Sequence, residues 1–240
     1  MFNAQHILYM VISGALTILM LALAHRWLTE EKQKTRFLQF FAVITVLLHY
    51  SNLWVEYFTT GTAQVENNHI LPVYPCNVIM WMLLIAAFMN NKQSVVFHML
   101  GEFCFIVGTL CGIVGIGLNV NFDHNPTLTD YHVLKGLLSH STMLVGCLYM
   151  LVGDWIQIRM FNVVSVTAGF SVFVTCGLAV NQLYIHFGMT PPDGMFLLEN
   201  PYVPIPTIML GIGFIILQFC CLLLAELRLP HKQQLHKKET

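Results

Sequence analysis

Apolar runs separated by short polar breaks fill almost the whole chain. A helix needs about 20 apolar residues to cross the hydrocarbon of a bilayer, and seven runs reach that order of length. They predict spans at 7–24, 37–58, 71–89, 95–118, 131–152, 161–186 and 205–227. The first is apolar all round. The second begins apolar but carries His49, Tyr50, Asn52 and Glu56 in its latter half, and the fourth is rich in glycine. The expected fold class is all-α: a polytopic membrane helix bundle with seven transmembrane helices. It forms one integral membrane domain over 1–240, of which 229–240 is a basic cytoplasmic tail.

Charge supports that count. Arg26, Lys32, Lys34 and Arg36 lie between the first two runs, Lys92 between the third and fourth, and Arg159 between the fifth and sixth. Arg228, Lys232, Lys237 and Lys238 lie in the tail. With seven spans, all of these fall on one side. The loops on the other side, 59–70, 119–130 and 187–204, contain no Lys or Arg. Lys135, near the start of the fifth run, is the single exception. Basic loops stay in the cytoplasm, so the N-terminus is expected outside and the C-terminus inside. The first residues lack a basic region and a cleavage site, so the first span is read as retained.

Composition narrows the function classes. Of 240 residues, 56% are hydrophobic and 10% charged, with mean hydropathy +0.67; a soluble domain carries roughly 25% charge. The net charge of -1 gives no field for nucleic acid. The spans leave no room for a soluble catalytic domain, so any chemistry belongs inside the bundle or at its rim. The seven cysteines show neither CxxC pairs nor metal-cage spacing, and neither metal nor cofactor is expected.

Polar groups within a membrane mark packing partners or function. His49, Asn52 and Glu56, at i, i+3 and i+7, share a helix face. The half of the bundle towards the lysine-poor loops also receives Cys76, Asn77, Ser139, His140, Ser141 and Asn181. In Pro75-Cys76-Asn77, proline suits the first helical position, which puts Cys76 second. A thiol there meets unpaired N–H groups and the positive end of the helix dipole, which favour its anionic form. Apolar burial opposes that form, so a base or water is needed beside it. His140 on the fifth span can be that base; it can equally be a hydrogen-bonded structural residue. Gly108-xxx-Gly112 is a close-packing motif. His98 and Glu102, one turn apart, are expected to pair with each other.

The order of these features resembles the YwaF family of bacterial integral membrane proteins, whose fold group includes the eukaryotic transmembrane protein 164 acyltransferase. Five features carry the resemblance: Leu71-Pro72-x-x-x-Cys76 opening a middle helix, a loop with Pro126, a helix with central His140, a helix with buried Asn181, and the stretch Phe196-Leu197-Leu198-Glu199-Asn200-Pro201. The chain departs from the pattern at Tyr74, where a histidine is usual, and at Asp193-Gly194 in place of Asn-Tyr. The resemblance implies acyl transfer between phospholipids, or lipid acyl hydrolysis, through a cysteine acyl-enzyme. Cys76 would be the nucleophile and His140 the base, with His49, Asn52, Glu56, Asn77 and Asn181 as a supporting polar pocket. It also implies membrane lipids as partners and a bacterial cell membrane as location.

Three other readings compete. A transporter would use the His49/Asn52/Glu56 stripe and the His98/Glu102 pair as a proton path. A receptor-like membrane protein would leave Cys76 inert. A haem-binding bundle would need two facing histidines.

Overall fold

The computed structural model describes residues 3–63, 65, 67–119, 127–198 and 206–227. The expected tail, Pro126 and the segment 199–201 lie outside the described residues. Two long helices come first, α1 (Ala4–Trp27) and α2 (Glu31–Thr60). A single turn, α3 (Asn67–Ile70), precedes α4 (Pro75–Phe88). The next span is continuous but mixed: α5 (Val95–Phe103), a π-helical turn (Cys104–Gly108) and α6 (Thr109–Gly117). Then follow α7 (Tyr131–Val152), α8 (Asn162–His186), a tight turn at Gly194–Phe196 and α9 (Thr207–Leu227).

Among the described residues, six helical segments are long and apolar enough to cross a membrane: Ala4–Trp27, Glu31–Thr60, Asn68–Phe88, Val95–Gly117, Tyr131–Val152 and Asn162–His186. The chain is therefore a multi-pass membrane protein. The seventh expected span coincides with α9, whose described apolar stretch, Gly211–Leu224, is shorter. Large apolar side chains such as Leu8, Val11, Ile18, Phe58 and Val95 point outward. In water that surface would be a liability; in lipid it costs nothing.

The third span starts later than its apolar run. Residues 71–74 are not helical, and α4 opens at Pro75. A residue preceding proline is driven out of the helical region, and Tyr74 is extended, with φ −111° and ψ 154°. Leu71 closes a short turn instead, its carbonyl accepting from the Val73 N–H at 2.8 Å.

Helix α7 is the hub. Buried residues make up 61% of its most apolar stretch, against 22% for α1, and it packs on α1, α2, α6 and the π turn. Small residues permit these approaches. A Cβ on Gly108 would stand 2.5 Å from Cys147 Sγ, and one on Gly112 would stand 3.0 Å from the Leu144 Cβ. The expected close-packing role of that pair therefore holds. The π turn was not legible in the sequence; it inserts a residue where α5 gives way to α6 and so re-aims the face that α6 presents to α7.

Candidate functional site

Three helices bring their polar residues to one small cavity. Its lining comprises Thr45 and His49 from α2, Cys76, Asn77 and Met80 from α4, and Ser139, His140 and Met143 from α7. The volume is about 30 Å³, room for a water molecule or for the reacting atoms of an ester, not for a lipid. Cys76, His49, Ser139 and His140 are each half-buried as whole residues.

Cys76 occupies the position its sequence implies. Tyr74 caps α4, Pro75 is its first residue and Cys76 its second. The Asn77 N–H closes this first turn on the Tyr74 carbonyl at 3.0 Å. Asn77 fastens this turn: its Oδ1 accepts from the Tyr74 N–H at 2.9 Å, half of a reciprocal capping arrangement. Its Nδ2 lies 3.3 Å from His49 Nε2, and His49 Nε2 also lies 3.1 Å from the Asn68 carbonyl. The two bonds need opposite states of one nitrogen: it donates to the carbonyl or accepts from the amide. His49 thus has two alternative partners at the cavity wall.

His140 is oriented by its own helix. Its Nδ1 lies 2.8 Å from the Gly136 carbonyl. A carbonyl only accepts, so Nδ1 carries the proton and Nε2 keeps its lone pair. That nitrogen faces α6, where a Cβ built on Gly115 would fall 2.4 Å from Nε2 and 2.0 Å from Cδ2. Glycine at 115 is what leaves room for the imidazole. Ser141 turns the other way and ties α7 to α1, with Tyr9 Oη at 2.9 Å and Ser13 Oγ at 2.8 Å from its hydroxyl.

The remaining expected pocket residues do not line the cavity. The stripe on α2 divides among three partners. His49 reaches the cavity. Asn52 Oδ1 lies 3.0 Å from His69 Nε2 and so holds α3. Glu56 lies 3.4 Å from His132 Nε2 at the start of α7. Asn181 accepts at Oδ1 from the Gly194 N–H at 2.7 Å, and the next residue, Met195, donates its N–H to the Val73 carbonyl at 2.7 Å. Asn181 therefore acts two steps from Cys76, by fixing a turn that latches the strand entering α4. That turn holds Asp193, Met195 and Phe196 at φ of 53°, 58° and 54°, a left-handed run that costs energy without glycine. Gly194 and Gly177 touch backbone to backbone, 2.6 Å separating Gly194 O from where a Gly177 Cβ would stand. His98 and Glu102 do not form the expected pair: Glu102 accepts a short hydrogen bond from Ser165 of α8.

One residue was missed. Lys135, half-buried one turn into α7, sends its Nζ to the His49 carbonyl at 3.5 Å. Cys76, His49 and His140 all lie within its electrostatic reach. The signal was present as the single break in the charge alternation. Among the described residues, no group of three or more His, Cys, Asp or Glu could hold a metal, and the seven cysteines are free.

The chain matches no curated protein and no solved structure. A family model does match, that of the TMEM164 family, over residues 1–227. The match spans the whole described bundle, and it supports the kinship with transmembrane protein 164 without adding the YwaF name. The chain belongs to the TMEM164 family.

Proposed function

We propose that this chain is a membrane-embedded acyltransferase, or a lipid acyl hydrolase, acting on phospholipid acyl chains through a Cys76 acyl-enzyme with His140 as base. The observation that carries this is the shared cavity. A thiol in the first turn of a helix lines the same 30 Å³ space as a histidine whose Nδ1 is held by a carbonyl and whose Nε2 keeps its lone pair. Family membership agrees with it.

The steps balance without a cofactor. His140 Nε2 takes the Sγ proton as Cys76 attacks the ester carbonyl carbon. The carbonyl oxygen becomes an oxyanion, for which the N–H groups that open α4 are the nearest donors. Collapse breaks the acyl C–O bond, and the leaving lysolipid alkoxide recovers the proton from His140. A second hydroxyl, or water, then gives its proton to His140 and attacks the thioester; the C–S bond breaks, and the Cys76 thiolate takes that proton back from His140. Only the reacting group must enter the cavity; the acyl chains stay among the apolar helix faces and the lipid. The Lys and Arg distribution puts this half of the bundle in the outer leaflet, with the N-terminus outside and the C-terminus inside.

A transport reading has less support. The stripe that would carry protons is split among Asn77, His69 and His132, and Glu102 turns to Ser165.

Intact-protein mass spectrometry after incubation with phospholipid tests the proposal. The expected result is a mass increase of one acyl chain, removed by hydroxylamine and absent from Cys76→Ala. No adduct across a broad lipid panel, together with undiminished acyl transfer by Cys76→Ala, overturns it.

A further inference from the structure

Attack on an ester leaves a full charge on the carbonyl oxygen, and that charge needs N–H donors already fixed in place. Of the N–H groups that open α4, few remain for it. Pro75 has none, and the Asn77 N–H is committed to the Tyr74 carbonyl at 3.0 Å. The Cys76 N–H has no partner among the described residues. An oxyanion site commonly holds two donors, so a second must come from a side chain.

The hydrogens of the cavity's side chains can be accounted for one by one. Ser139 donates to the Gly136 carbonyl at 2.9 Å. Thr45 has one hydrogen and two acceptors for it, the Phe41 carbonyl at 2.7 Å and Thr142 Oγ1 at 2.9 Å. His140 gives its Nδ1 hydrogen to Gly136. Met80 and Met143 have none to give, and the Cys76 thiol is the nucleophile. Asn77 and His49 remain.

Asn77 is held so that its donor end has one direction. It is only 3% exposed. An N–H bonds only to an acceptor, so the atom 2.9 Å from the Tyr74 N–H is the amide oxygen. Nδ2 takes the other side, where it lies 3.3 Å from His49 Nε2. An amide nitrogen carries two hydrogens. When His49 Nε2 donates to the Asn68 carbonyl it cannot accept, and both amide hydrogens are uncommitted; when it accepts, one is. A neutral His49 in the first state has no second N–H to offer. Among the described residues, Asn77 is thus the lining side chain that keeps an N–H uncommitted in either state. The cavity admits about one water, so a carbonyl oxygen drawn into it by Cys76 meets the wall that Asn77 forms.

We propose that Asn77 is a catalytic residue: its Nδ2 hydrogen and the Cys76 backbone N–H together hold the oxyanion formed when Cys76 attacks an ester. This rests on the acyl-enzyme reading above and assigns the donor that reading lacks. The Sγ–C bond forms, the carbonyl π pair moves to oxygen, and the thiol proton goes to His140 Nε2. Collapse restores the carbonyl as the acyl C–O bond breaks. The bond from Asn77 is strong only while the charge exists, so its loss lowers kcat more than it raises KM. Because Asn77 Oδ1 also caps the turn that carries Cys76, one side chain sets both nucleophile and donor.

The test uses wild type, Asn77→Ala and Asn77→Asp, each purified whole in detergent, with three readouts at Cys76. Thioester formation from phosphatidylcholine reads the reaction. A long-chain alkyl trifluoromethyl ketone gives the thiol a tetrahedral oxyanion adduct. A long-chain iodoacetamide alkylates the thiol by displacing iodide, with no oxyanion; peptide mapping separates Cys76 from the other cysteines. Asn77→Ala is expected to slow thioester formation at saturating lipid, and to weaken the ketone, by about a hundredfold or more, while alkylation stays near the wild-type rate. Asn77→Asp keeps an oxygen for the Tyr74 N–H and lacks the Nδ2 donor, so it isolates the donor even if Asn77→Ala fails to fold. Its losses in thioester and ketone are expected to exceed any loss in alkylation. Unchanged thioester formation and ketone binding in Asn77→Asp overturn the proposal. So does an equal fall in all three readouts, which is what a purely structural asparagine gives. A wild type that is alkylated at Cys76 but forms neither thioester nor ketone adduct overturns the acyl-enzyme reading and this assignment with it. Thioester formed equally by wild type and both variants overturns the assignment alone.

Discussion

The two ends of the bundle use polar residues in opposite ways. At the basic end two lysines close helices. Lys92 Nζ donates to the Ala86 and Ala87 carbonyls at 2.7 and 2.9 Å, the last turn of α4, and stands over the rings of Phe97 and Trp155. Lys34 bonds the Gly153 carbonyl at 3.2 Å and Asp154 at 3.4 Å just past α7. Trp155 Nε1 donates to Glu31 at 2.5 Å. Cations at helix C-termini satisfy orphan carbonyls and oppose the dipole. These residues are more than topology signals; they cap the bundle. At the other end polar groups of α2, α4 and α7 surround a cavity, and His49 Nε2 stands between two alternative partners. A larger space at the basic end, about 210 Å³ between α1, α2 and α7, has no cysteine in its lining. One end caps helices; the other sets a thiol and an imidazole beside a cavity.

That contrast is breakable by exchanging the kind of damage each end suffers. The largest effect is expected from Cys76→Ala: acyl transfer falls by more than about a thousandfold, while the melting temperature stays within a few degrees, since a small, half-buried side chain is lost. A collapse in stability instead would mean that the cavity is a packing feature.

Next comes Gly115→Ala. The added methyl would overlap the His140 ring, which is tethered at Nδ1 and must tilt. A shift of about 1 Å in a catalytic base costs on the order of a hundredfold in rate. Gly117→Ala is the matched control, because nothing lies within 4 Å of its Cβ position. If both variants transfer acyl groups at the wild-type rate, His140 is not the base.

Lys92→Met reverses the pattern. It leaves the Ala86 and Ala87 carbonyls with one long bond each, from the Met89 N–H and from Gln39, both at 3.3 Å. The expected cost is about 1–3 kcal/mol, read by denaturation in detergent, with acyl transfer per folded molecule preserved. Loss of activity without loss of stability would erase the distinction between the ends.

Much of this was legible in the sequence, and the boundary has a physical reason. Spans follow from runs of transfer free energy, and the placement of Cys76 follows from local backbone rules about proline. Both are properties of a single segment. Partner choice is not. Whether Glu102 meets His98 on its own helix or Ser165 on α8 depends on how α5 is rotated, and the π turn that follows α5 leaves no mark in the hydrophobic pattern. Asn52 found His69 because a short helix, α3, lies inside a stretch read as loop. Asn181 was legible as buried but not as the anchor of the turn that holds Val73. Lys135 lay open to view as the exception to a charge alternation that holds for ten of the eleven Lys and Arg residues, and the structure sets its Nζ 3.5 Å from the His49 carbonyl.

The smallest effect concerns pH and sharpens the view of the basic end. Lys92 lies between two spans, and burial pushes its ammonium below the ordinary lysine value of 10.5, with Glu31 opposing the shift in part. The fold therefore penalises the charged form. Between the lowered folded value and 10.5, the unfolded chain binds more protons than the folded one, so stability rises with pH across that window. Below it the cost is present in full. Lys92→Met carries no such group, while a neutral amine can still donate to the Ala86 and Ala87 carbonyls. The stability gap between wild type and Lys92→Met is thus expected to widen as pH climbs towards 10.5, and the difference between the two proteins cancels other groups that titrate there. A gap that narrows over the same range would mean that Lys92 caps α4 through its charge, and that the basic end is held by electrostatics rather than by satisfied carbonyls.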